Sequence, residues 1–169
     1  MKFTFSLARR QITEALGHYQ SDTSEMRREH KALQSGGIIA GGDSSPNHLE
    51  TIINWKSSRP KTLIMNNDPH DIRDALRVAC AAPRDRTAVA VLCGLHGVGV
   101  PMASAFLTAI NPLRFTIIDW RALKALAVKK SVVTIDDYLE YLAYCRTQAE
   151  RIEFSLRDLD RALWVVGGS

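Results

Sequence analysis

The stretch Leu92–Leu126, LCGLHGVGVPMASAFLTAINPLRFTIIDWRALKAL, decides the fold. Leu92 and Leu95 close one apolar helical pattern, and Ala103, Ala105, Phe106, Leu107 and Ile110 belong to the next. Between them, Gly97 and Gly99 permit positive backbone angles and remove side chains that would block a close approach. That chemistry suits a tight helical hairpin. A helix that starts directly after a hairpin also presents free amides and a positive dipole, which can hold a phosphate without reading a base. An ordinary turn between two packed helices is the commoner source of an isolated GxG.

Outward from this stretch, helical periodicity and helix-start signals recur. Ser45-Pro46 combines a capping residue with a proline that loses no needed donor in the first turn, and Leu49, Ile52 and Ile53 follow on one face. Asp68-Pro69 repeats the device ahead of Ile72, Ala75, Leu76, Ala79 and Cys80, ending near Pro83. Thr134 with Asp137, and Ser155 with Asp158, have capping-box spacing with Asp in place of Glu or Gln. The helix after Ser155 carries Leu156, Leu159, Leu163 and Trp164. The glycine-rich run 35–46, SGGIIAGGDSSP, reads as the clearest loop, setting a less regular N-terminal part apart from the rest. A short strand near Phe3 and Phe5, or over 115–118, is compatible with the pattern, but an isolated strand makes no sheet. The expected architecture is all-α: a single multi-helix domain over residues 1–166, with its hairpin core at about 86–126, and a flexible tail at 167–169.

The chain of 169 residues is 46% hydrophobic, enough to bury one substantial core. A formal charge of +4 favours an acidic partner such as nucleic acid without requiring one. Cys80, Cys93 and Cys145 are odd in number, widely spaced and embedded in apolar helical patterns, so they read as reduced thiols. The five histidines, His18, His30, His48, His70 and His96, never pair at HxxxH spacing. No metal site, iron–sulfur cluster or other cofactor is expected. The N-terminus reaches two arginines before any sustained apolar core, and no segment approaches the ~20 apolar residues that span a bilayer. The expected setting is therefore intracellular, in the cytoplasm or at the nucleoid, with no membrane partner.

The sequence LHGVGVPMASAFL resembles the helix-hairpin-helix DNA-binding motif, with Leu95, Gly97, Val98, Gly99 and Ala103 in the matching places. The likeness continues through a proline-bearing loop at Asn111-Pro112, the apolar run 115–118 and then Asp119. In this order the chain resembles the helix-hairpin-helix base-excision DNA glycosylase superfamily, of no particular subgroup. The resemblance implies that Gly97, Val98 and Gly99 hold a DNA phosphate and that Asp119 is the catalytic carboxylate. The partner it implies is double-stranded DNA with one nucleotide flipped out.

Asp119 immediately precedes WRALKAL, where a carboxylate also serves simply as a helix cap. The two roles are compatible, because a carboxylate fixed at a helix end is already oriented toward an adjacent cleft. Superfamily members that also cut the backbone carry a lysine two residues after the second hairpin glycine. Pro101 stands there in this chain, so the resemblance implies a monofunctional hydrolase. Lys56 or another lysine could supply an amine, but nothing in the sequence positions it.

Trp120-Arg121 departs from the small residue and His or Asn that many family sequences place after the aspartate. Trp120 reads either as a base-pocket wall or as a core anchor, and Arg121 either as a phosphate contact or as part of a solvated face. Trp55 and Lys56, in INWKSSRP, read either as a base-stacking ring beside a phosphate contact or as a core tryptophan with a snorkelling neighbour. Lys124, Lys129 and Lys130 offer further positive charge. Tyr138, Tyr141 and Tyr144 are spaced for packing against neighbouring helices, and the charges of RDLDRALW, 157–164, for capping and local ion pairs. The alternative to an enzyme is a noncatalytic helix-hairpin-helix module that holds DNA or a protein.

Overall fold

A computed structural model of the chain describes residues 1–168. Among the described residues there are ten α-helices and no strand. In chain order these are α1 (Arg9–Ser21), α2 (Thr23–Ala40), α3 (Pro46–Lys56), α4 (Lys61–Met65) and α5 (Pro69–Ala81). They continue as α6 (Asp85–Cys93), α7 (Val100–Ile110), α8 (Trp120–Ala125), α9 (Ile135–Ile152) and α10 (Leu156–Gly168).

The local start signals act as their chemistry dictates. Pro46 and Pro69 occupy the first turns of α3 and α5, and the Asp68 carboxylate accepts from the His70 amide. Thr134 and Asp137 exchange hydrogen bonds to open α9, while Ser155 and Asp158 pair at the start of α10. Each satisfies amides that the first helical turn leaves without acceptors.

Helix α7 is the centre of the molecule. Its residues Ala103, Ala105 and Phe106 are fully buried, and α2, α3 and α6 pack around it. Ile52 and Ile53 of α3, Leu92 of α6, and Tyr138 and Tyr141 of α9 complete the same core. Phe3, Phe5 and Leu7 of the N-terminal segment pack against it, where the Thr4 amide donates to the Leu126 carbonyl and Phe3 stacks on Tyr144.

Two expectations differ from the structure, both because glycine serves close packing here rather than flexibility. The expected loop at 35–46 is helical through Ala40, and only 41–45 turns. Gly36 rests against the Ala109 backbone of α7, where any Cβ would collide with the carbonyl. The expected tail at 167–169 likewise differs at its start: Gly167 is buried inside α10 against the Arg121 carbonyl of α8. A side chain at either place would force two helices apart.

Candidate active site

The hairpin joins α6 to α7. Gly97 has φ +83, and a Cβ on it would lie 2.7 Å from the Leu63 Cβ, so both backbone angle and space call for glycine. Gly99 differs from the expectation of a positive angle. It caps α7 in an extended conformation, φ −87 and ψ 170, where a Cβ would make only an ordinary contact with Pro101 Cδ at 3.8 Å. Val98 is buried and anchors the turn. Asn67 clamps the hairpin from outside: its amide donates to the His96 carbonyl at 2.9 Å, and its oxygen accepts from the His96 amide at 2.8 Å. Nothing in the local sequence marks this asparagine.

The apolar run after the hairpin is extended yet pairs with no strand among the described residues. Side chains satisfy its backbone instead, as burial requires. The Tyr138 hydroxyl donates to the Thr116 carbonyl at 3.0 Å, and the Tyr141 hydroxyl to the Ile117 carbonyl at 2.9 Å. Asp160 accepts from the Ile117 amide and Ser104 from the Ile118 amide. Arg146 donates to the Arg114 carbonyl at the start of the run. The α9 tyrosines are thus bolts as well as packing residues.

This rigid run delivers Asp119. Its Oδ1 accepts from the Ala122 amide at 3.0 Å and caps α8. Its Oδ2 accepts from Lys56 Nζ at 2.7 Å, and the two side chains are only 13% and 15% exposed. Lys56 is the last residue of α3, whose final carbonyls, on Asn54 and Trp55, accept from Arg28 of α2. The lysine for which the sequence offers no position is therefore held against the candidate carboxylate.

The pair lies in a cleft whose walls are aromatic and whose rim is basic. Trp55, Trp120 and Trp164 line it, together with Glu25 and the cationic Arg28, Arg59, Arg121 and Lys130. Trp55 is buried and donates its indole N–H to Glu25 at 3.1 Å. Trp120 does not anchor the core: it is 63% exposed at the start of α8. The Arg121 guanidinium lies 4.1 Å from the Trp164 ring centroid and 5.3 Å from that of Trp120, between the two indoles. The structure thus gathers Trp55, Lys56, Asp119, Trp120 and Arg121 into one cleft. Gly97, Val98 and Gly99 lie outside its lining, and Pro101, in the first turn of α7, is the residue this end of the hairpin contributes.

Beneath the cleft, charges of α10 make long-range contacts rather than only local ones. Arg157 and Arg161 both bind Glu29 of α2, and Arg157 also pairs with buried Asp160. Burial raises the Glu29 carboxyl, but Arg157 and Arg161 overcome it and hold the group down at about 2. The Tyr19 hydroxyl donates to the same carboxylate at 2.6 Å. Arg157, Asp160 and Arg161 line the inner end of the cleft together with Tyr19. Spacing alone cannot separate such contacts from helix-surface pairs, since Arg157 and Asp160 also satisfy the i,i+3 rule.

The sequence matches no protein-family model and no curated protein. Among solved structures, the chain is similar to Methanocaldococcus jannaschii 8-oxoguanine glycosylase/lyase in complex with a 15mer DNA containing 8-oxoguanine. The identity is 16%, the TM-score 0.47, and the alignment covers 92% of this chain and 94% of that one. Among the described residues, no helix is long and apolar enough to cross a membrane.

Proposed function

We propose that the chain is a DNA N-glycosylase that removes an altered or mispaired base from duplex DNA, with Asp119 as its catalytic carboxylate. The observation that carries this reading is the division of labour on Asp119: one oxygen is spent on capping α8, and the other is aimed by Lys56 into a tryptophan-walled, basic-rimmed cleft. The resemblance of the hairpin and the following run to the base-excision superfamily supports the same assignment.

Breaking the bond between base and sugar develops positive charge at C1′, as in glycoside hydrolysis. A fixed carboxylate stabilises that charge and takes a proton from the attacking water. The nucleotide must first leave the stack, and indole faces offer the extruded base a stacking surface. Arg59 and Arg121 are suited to the flanking phosphates, positioning the strand without reading its sequence. Because Pro101 has no amine, the hairpin itself contributes no covalent step, and the base leaves by hydrolysis.

The test is a panel of duplexes, each bearing one oxidised, alkylated, deaminated or mispaired base, assayed for base release with the Asp119→Asn protein as control. The reading expects release from at least one duplex, lowered by about 100-fold or more in the variant. Asparagine keeps the helix cap but removes the counter-charge of Lys56, so a melting profile taken alongside separates the loss of the carboxylate from any loss of fold. Salt-sensitive duplex binding without release from any substrate would favour the noncatalytic module.

A further inference from the structure

We infer that Arg121 closes the base-stacking part of the cleft in the DNA-free protein: its guanidinium covers the indole of Trp164, and an extruded base must turn it aside to stack there. The inference rests on the reading of this cleft as the receiver of an extruded nucleotide. It gives Arg121 two positions, one on the indoles and one at a flanking phosphate.

Space in the cleft decides where a base can go. The inner end, between Asp119 and Asp160, has a volume of about 60 Å³, well under the ~150 Å³ that admits a benzene ring. The outer part has about 540 Å³, within the range of small-molecule sites. Trp164 lines both parts, so its ring borders the passage from one to the other. The guanidinium, 4.1 Å from that ring centroid, stands where a base entering the outer part would stack.

The way Arg121 is held makes it movable. Among the described residues its guanidinium has no carboxylate and no hydrogen-bond acceptor, and it rests on the two indoles. Arg28, Arg157 and Arg161, around the same cleft, are each tied to a glutamate instead. The Arg121 backbone is fixed, because its carbonyl packs against Gly167 of α10. Gly168 leaves room for the resting side chain: a Cβ there would lie 3.3 Å from Nη1 and 3.4 Å from Cζ. Opening is therefore a side-chain rotation on a stationary helix.

DNA favours that rotation at both ends. The idle N–H donors of Arg121 gain a phosphate, and the vacated indole gains a base. Trp120-Arg121 is also where the chain departs from the sequences its hairpin resembles, so the device belongs to this chain.

The experiment uses free adenine as the probe, so it needs neither a lesion nor base release. In protein carrying isotope-labelled arginine, the Arg121 Nε–H proton is assigned by its loss in Arg121→Lys. It should resonate upfield of the other arginines, because indole ring currents shield it, and saturating adenine should return it among them. Arg121→Ala should bind adenine about 5- to 30-fold more tightly than the unaltered chain, read by quenching of indole emission, since no guanidinium competes for the ring. Lys129→Ala, which also removes one positive charge, should bind adenine as the unaltered chain does. Three results would each overturn the inference: an ordinary position for the Arg121 proton in the free protein, a proton that stays upfield while adenine binds, or no gain in adenine affinity in Arg121→Ala, absent binding included. Base release from a lesion-bearing duplex alongside any of these would leave the glycosylase reading standing with an open cleft. Displacement by adenine without release from any lesion would remove that reading and keep the gate.

Discussion

The Tyr141 hydroxyl donates to the carbonyl of Ile117, two residues ahead of Asp119, at 2.9 Å from within the core. A buried side chain of α9 therefore fixes the backbone that aims the candidate carboxylate. Tyr141→Phe removes that donor and leaves the Ile117 carbonyl unsatisfied at little change in volume. The expected cost is about 1–3 kcal/mol of stability, read from denaturant unfolding. If the bond also aims Asp119, base release should fall while duplex affinity holds. A stability loss with unchanged release would assign the tyrosine to the fold alone.

Glu29 gives the stability of the chain a pH signature. Its carboxyl is lowered from the ordinary 4.5 to about 2, so the folded state binds this proton less readily than the unfolded chain. The stabilisation is complete above pH 4.5 and is lost as the pH falls toward 2. Glu29→Gln leaves Arg157 and Arg161 without this counter-charge and should cost on the order of 3 kcal/mol at pH 7. Unfolding curves of the two proteins should converge as the pH is lowered through that window. A gap that stays constant with pH would show that the cost comes from packing instead of charge.

The two hairpin glycines should respond oppositely to substitution. Gly97→Ala places a Cβ at positive φ and 2.7 Å from Leu63, and should destabilise by roughly 1–3 kcal/mol. Gly99→Ser meets only Pro101 Cδ, at 3.8 Å from its Cβ, at an extended cap position and should be neutral or stabilise by up to about 1 kcal/mol. Thermal melts of the two variants decide it; equal losses would show that both positions serve the turn in the same way.

What the sequence made legible was local in origin. Pro46, Pro69, Thr134 and Asp119 announce helix starts because capping involves residues within one turn of each other. What stayed hidden depends on distance. Gly36 reads as loop because only the approach of α7, far along the chain, makes a glycine necessary inside a helix. Lys56 and Asp119 are 63 positions apart, and no periodicity joins them. Arg157 and Asp160 carry the spacing of an ordinary helical pair, so their reach to Glu29 and Ile117 is visible only once α2 and the extended run lie beside α10.

The chain contains three tryptophans, and Trp55, Trp120 and Trp164 all line the cleft. Its entire indole emission therefore originates at the walls of the candidate site. Trp120, exposed at the cleft mouth, and Trp164, covered by Arg121, should differ in quenching by solutes. The unlabelled protein is in this way its own optical reporter: a duplex entering the cleft must pass within reach of every fluorophore the molecule has.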